Sequence, residues 1–220
     1  MPVGVAMAVG LAFVLGAGLM FAEGSALSLR ATAIGGGAPN APWTIELSRW
    51  STEVERAPLL AALSAPPPAP PAPPAASPPA GRAAGRGGRG GRGGRGAAPP
   101  PSPLARLASA VKAAPTLGFI WGDGVTGYSI KYAWRASSPE GTERIVLVTD
   151  RRLGAHAPDW VPASSAGTEA DFTLVEMQIN GKGVGEGKTS LTSTVAVDAA
   201  AGTLVLDGYA AAPTMLKVTR

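Results

Sequence analysis

The chain has 220 residues, 19 Lys and Arg against 15 Asp and Glu, 30 glycines, 22 prolines, one histidine and no cysteine. The missing cysteine excludes a disulfide framework, a thiolate zinc site, a cysteine nucleophile and a lipid-modified cysteine anchor. The pI near 9.8 does not describe a basic domain face. Five arginines, Arg82, Arg86, Arg89, Arg92 and Arg95, fall within residues 65–103, which hold no Asp, Glu or Lys; setting them aside leaves 14 basic side chains against 15 acidic ones.

In chain order, the first 22 residues carry no charge, and small residues follow at Gly24, Ser25 and Ala26. This pattern predicts a signal peptide over 1–26 and a periplasmic or secreted protein. No basic residue precedes the apolar run, so a membrane anchor formed by an uncleaved N-terminal helix is the alternative. Residues 27–64 open one α+β domain. Leu27 to Ile34 reads as a strand, and Trp43 to Arg49 as another, with Trp43, Ile45 and Leu47 on its buried face. Thr52-x-x-Glu55 matches a capping box opening a helix through about Leu63.

Residues 65–103 form a low-complexity insert. Its proline half is expected to be extended polyproline II and its glycine-arginine half a coil that buries too little apolar surface to fold. Residues 104–220 complete the domain, starting with a short helix that carries Leu104, Leu107 and Val111 and stops at Pro115. Tyr128, Ile130, Tyr132 and Trp134 are placed on one strand face, opposite Ser129, Lys131 and Arg135. A turn at SSPEG leads to Arg144–Thr149, apolar on both faces. Further strands are expected at Phe172–Ile179, Thr189–Val197, Thr203–Leu206 and Met215–Val218, with a glycine-dense turn before Thr189. Short strands with close connections predict a mainly antiparallel sheet, or a partly closed barrel, with two short helices. About 150 residues remain for it, enough for one core.

The stretches IELSRWSTEVER, LLAAL, GFI, YSIKYA, ERIVLVTDRRL, DFTLVEMQIN, GEGKTSL and LDGY resemble, in content and order, a group of exported bacterial proteins known chiefly from acidobacterial genomes, to which no activity is assigned. The resemblance covers most of the chain outside the signal and the insert. It implies that the two helices are normally joined by a short connection, which this chain has lengthened with residues 65–103, a change whose closure entropy grows only logarithmically.

Five constellations bear on function. Gly187-Lys188-Thr189 imitates the end of a phosphate loop, but Lys182 stands where the first glycine belongs and a strand composition follows, so a hairpin turn is expected. His156 has no nucleophile-elbow serine to serve and reads as a solvated loop residue. The acids Glu143, Asp150, Asp171, Glu176 and Glu186 could furnish a carboxylate pair. Glu176 lies mid-strand and, if buried, wants a partner such as Arg151 or Lys188. Arg49 and Trp50, at a strand-to-helix junction, form either a recognition pair or a surface ion pair beside a helix staple.

Last is the RGG-like tract, Arg82 to Arg95, whose guanidinium groups suit phosphates and other anions. The expected function is that of an exported, non-enzymatic binding or envelope-associated module, meeting an anionic polymer or membrane surface through those arginines. RNA or single-stranded DNA association and a carboxylate-based extracytoplasmic hydrolase are the alternatives. The pattern contains no catalytic constellation and calls for no cofactor or metal.

Overall fold

The computed structural model describes residues 27–34, 42–64, 100–122, 127–154 and 171–220. Strand β1 (Leu27–Ala33) buries Leu27, Leu29, Ala31 and Ala33 and turns Ser28 and Arg30 outward. In β2 (Pro42–Leu47), Trp43, Ile45 and Leu47 are buried in the same rhythm. Helices α1 (Glu53–Ser64) and α2 (Pro103–Ala113) follow. Then come β3 (Gly118–Trp121), β4 (Tyr128–Ser137), β5 (Glu143–Thr149), β6 (Thr173–Ile179) and β7 (Val184–Thr189), a hairpin of β8 (Val195–Asp198) and β9 (Thr203–Leu206), and β10 (Leu216–Thr219). The fold is α+β and mainly antiparallel. Eight strands pair neighbour to neighbour in the order β1-β2-β3-β4-β5-β6-β7-β10, and β10 returns to β1 to close a barrel. At that strand number the interior is just wide enough for side chains to fill. Leu29, Ile45, Ile130, Leu147, Met177 and Val218, each at most 1% exposed, are among those that fill it.

Closure also depends on two glycines. A Cβ on Gly118 would collide with the Glu46 carbonyl, and one on Gly185 with the Gln178 carbonyl. Only glycine lets these strand pairs approach so closely where the wall curves.

Two insertions cover one side of the barrel. The pair α1–α2 lies in the chain between β2 and β3, and β8–β9 between β7 and β10. Between them and the wall lies a second core of Leu59, Leu107, Val111, Val146, Val148 and Leu174, with Tyr132, Phe172, Leu204 and Leu206. This explains why β5 is apolar on both faces: Ile145 and Leu147 fill the barrel, while Val146 and Val148 meet the outer layer. Each fully buried side chain of this size contributes about 2 kcal/mol.

The signal that opens α1 operates as the sequence predicts. The Thr52 amide donates to Glu55 Oε2 at 2.9 Å and the Glu55 amide to Thr52 Oγ1 at 3.3 Å, a reciprocal capping box. Ser102 caps α2 by accepting from the Ala105 amide at 3.1 Å, with Pro103 at the first helical position.

Three expectations are corrected. Tyr132 and Trp134 do not share a face with Tyr128 and Ile130, because a β-bulge between Ile130 and Tyr132 inserts one residue and reverses the alternation. Tyr128 and Ile130 thus fill the barrel, and Tyr132 and Trp134 lie in the outer core. The glycine-dense stretch is a turn only as far as Gly183, which takes a positive φ of 77°; Val184 to Thr189 is β7. A continuous strand over Thr189–Val197 is replaced by the end of β7, a turn and β8. The structure adds β3, which the sequence pattern does not single out.

Candidate functional site

Glu176 faces outward from the middle of β6, paired in register with Val146 on β5 and Lys188 on β7. The β8–β9 hairpin covers it, leaving it 1% exposed. A carboxylate so placed needs donors for both oxygens. Oε1 accepts from Arg144 Nε at 2.7 Å and Oε2 from the Leu206 amide at 2.9 Å. The Arg144 guanidinium continues to Asp198 Oδ2 at 3.5 Å and lies 6.0 Å from the Trp134 ring centre. Two amides, of Ala201 and Ala200, and Arg144 hold Asp198 below the usual carboxylate range.

Lys188 is buried beside this pair. Its Nζ donates to the Tyr209 carbonyl at 2.8 Å, stands 4.5 Å from the Tyr209 ring centre and lies 3.9 Å from Glu186 Oε1. The Tyr209 hydroxyl is buried and has no hydrogen-bond partner among the described residues. Desolvation and the charges of Glu186 and Glu176 push its pKa up, so it stays a neutral phenol. Tyr132 Oη meets Thr203 Oγ1 at 2.6 Å, and Arg56 reaches the Gly202 carbonyl at 3.2 Å. Burial raises the Tyr132 pKa. Chemically this is a latch of opposite charges and buried hydrogen bonds that fixes the hairpin to the barrel.

Glu176 is thus buried, but its partner is Arg144. Lys188 is opposite in register and bonds elsewhere, and Arg151 donates to the Gly127 carbonyl. The other acids are separated. Glu143 meets Arg220 at 2.6 Å and Arg135 at 3.7 Å. Asp150 accepts from the Ser129 amide at 3.0 Å. Asp171 pairs with Lys112 at 2.8 Å, which lowers its pKa. Glu186 accepts from Thr214 Oγ1 at 2.7 Å. A groove of about 590 Å³ along β7 and β10 is lined by Glu186 with Gln178, Asn180, Thr214 and Lys217. A depression of about 440 Å³ beside it holds Glu143 with Lys182 and Arg220. Neither is lined by two of the candidate acids.

At the strand-to-helix junction, Arg49 forms a bidentate pair with Glu55 at 2.7 and 2.8 Å, which together with the cap lowers the Glu55 pKa to about 2. Trp50 packs against the barrel core, with Arg135 4.8 Å from its ring centre. It is therefore not the helix staple. Gly187-Lys188-Thr189 ends a strand followed by a turn, without the helix a phosphate loop requires.

The arginines Arg82, Arg86, Arg89, Arg92 and Arg95, His156 and the apolar segment 1–26 lie outside the described residues. The residues on either side of 65–99 are described: Arg106 donates to the Ala62 carbonyl at 3.0 Å and to the Pro101 carbonyl at 3.1 Å, joining the end of α1 to the start of α2. Among the described residues, no helix is long and apolar enough to cross a membrane, and no group of three His, Cys, Asp or Glu could hold a metal ion. Arg144 and the Leu206 amide, the donors to Glu176, carry no mark in the sequence; the available signal was that Glu176 interrupts an apolar strand. No protein-family model, curated protein or solved structure matches the chain.

Proposed function

We propose that this chain is an exported, non-enzymatic binding module whose barrel carries the arginine tract Arg82–Arg95 and whose partner is an anionic polymer or membrane surface outside the cytoplasm. The observation that carries this reading is the clasp at Arg106. The ends of α1 and α2 meet there, so residues 65–99 leave and re-enter at one point of a finished fold. The five arginines within them are unaccompanied by acids. The hydrolase alternative gains nothing from Glu176, both of whose oxygens are engaged. Association with RNA or single-stranded DNA uses the same arginines and is separated from the first reading by location.

The test compares the full chain with a variant in which all five arginines become Gln, using a single-stranded oligonucleotide and anionic lipid vesicles as probes. Five phosphate contacts give a salt slope of about −3.5 on single strands, so affinity should fall about 100-fold between 50 and 200 mM salt. The Gln variant should lose that dependence. Equal binding by the two proteins would overturn the reading. Fractionation of the native host, with the mass of the mature N-terminus, separates the alternatives: a processed extracytoplasmic protein supports export, and a full-length cytosolic one moves nucleic-acid association to first place.

A further inference from the structure

The helical layer covers the outside of β4–β6, but the outer wall of β2 and β3 carries an aromatic pair of its own. Phe119, 44% exposed, and the half-buried Trp121 stand two residues apart on β3, and their ring centres are 5.9 Å apart with planes tilted by 32°. Across the ladder, Glu46 faces Phe119 and Thr44 faces Trp121. Glu46 is exposed and makes no ion pair among the described residues. Two adjoining, solvent-accessible rings, one exposed and one half-buried, are what a polyproline II segment uses: its fixed backbone stacks proline rings on aromatic side chains with little ordering cost. A neighbouring carboxylate adds selectivity for a cation at one end of that segment.

The chain contains such a ligand. Residues 66–79 are dominated by proline, residues 65–103 contain no acid, and Arg82 comes three residues after Pro79. We infer that Phe119, Trp121 and Glu46 form an intramolecular docking site for residues 66–82, with prolines on the two rings and Arg82 at Glu46. Geometry permits the reach. The insert is tied to the start of α2, whose eleven residues span about 16 Å, and β3 begins after a short connection at 114–117. Sixteen residues would span about 50 Å if in polyproline II, more than the diameter of a small domain. Because the segment is tethered, its effective concentration is in the millimolar range, so an intrinsic Kd of about 1 mM keeps the site about half occupied. Docking would hold the following arginines beside the barrel wall. The inference goes beyond the proposed function and is separable from it, since arginines freed from the wall would still bind anions.

With no native cysteine, Ser77→Cys carries a nitroxide label at a single place in the full chain. The expected result is selective broadening of the Trp121 indole N–H signal, identified by its loss in Trp121→Phe, and of the Phe119 amide. Replacing the prolines of 66–79 by serine, which leaves the barrel untouched, should abolish the broadening, and Glu46→Lys should weaken it about two-fold or more. Broadening absent from β3, centred elsewhere, or unchanged after proline replacement would overturn the inference. Broadening that vanishes on dilution would overturn it too, by assigning the occupant to a second copy.

Discussion

The substitution Glu176→Gln tests the latch most directly. The carboxylate accepts two hydrogen bonds, from Arg144 Nε at 2.7 Å and the Leu206 amide at 2.9 Å. An amide has one acceptor oxygen, so the replacement keeps one of these bonds without its charge assistance and turns an NH2 group toward the other donor. A hydrogen bond to a charged group contributes about 1.5–3 kcal/mol, and an unsatisfied buried donor costs about 1–3. Arg144 remains 31% exposed and beside Asp198, so its charge is not stranded, and the total should be about 3 kcal/mol. For a domain of this size that lowers Tm by roughly 9 °C. The control Glu186→Gln, at a side chain 48% exposed, should shift stability by about 0.5 kcal/mol or less. Urea unfolding measures both, and a cycle with Arg144→Gln should give a coupling of at least about 1 kcal/mol. Amide exchange supplies the local readout: in Glu176→Gln the Leu206 amide should exchange faster than global unfolding allows, while that of Leu29 should follow the global value. A loss below about 1 kcal/mol, or equal acceleration at both amides, would refute the assignment of Glu176 as the pin of the hairpin.

The capping box gives a pH prediction. The folded pKa of Glu55 is depressed from 4.5 to about 2, so its contribution is complete above the unfolded value and disappears as pH falls from about 4.5 through 2. Because Arg49 is 41% exposed, solvent screening limits the ion pair to about 1 kcal/mol. Stability curves of the native protein and Glu55→Gln should differ by about that at pH 7 and converge near pH 2. Gly185→Ala forces a Cβ into the Gln178 carbonyl and should cost more than about 3 kcal/mol or prevent folding. Gly187→Ala meets Met177 Cγ and Leu216 Cβ at 3.2 Å, where an adaptable methionine limits the cost to about 1–2 kcal/mol in the same denaturation assay. Replacing residues 65–99 by a four-residue connection shortens the loop about nine-fold and should stabilise the fold by up to about 2 kcal/mol by calorimetry; destabilisation would show that the segment contributes to the folded state.

Strand β1, strand β2 and both helices were legible because each carries its own signal: a period of two in the strands, a threonine three residues before a glutamate at α1, and the spacing of Leu104, Leu107 and Val111 before Pro115 at α2. The errors have physical causes that a one-dimensional pattern does not carry. Lys131 looks like any outward residue of an alternating strand, but the bulge beside it sends Tyr132 and Trp134 to the opposite face. Gly185 and Gly187 look like turn residues because propensity reflects entropy, whereas here close approach of neighbouring backbones overrides it. Glu176 was visible as an anomaly in an apolar strand, but its partner was not. Arg144 lies 32 residues away in sequence, and the amide that satisfies the second oxygen belongs to an inserted hairpin whose docking depends on the whole wall.

Barrel closure decides where recognition can take place. A closed eight-stranded sheet has no free edge, so an incoming chain finds no barrel strand to extend. The inward positions are occupied by apolar side chains, and the outer wall of β4–β6 is buried under a latched layer. The remaining wall, around β10, β1, β2 and β3, presents Arg30, Lys217 and Glu46 singly, with Phe119 and Trp121 as its concentrated apolar contact. The helical hairpin can lengthen without disturbing any ladder, because the Arg106 clasp holds its ends together whatever lies between them. The same geometry that makes residues 65–99 inexpensive to add thus gives them a fixed origin beside a rigid wall, which is the condition under which a charged segment gains local concentration at a neighbouring surface.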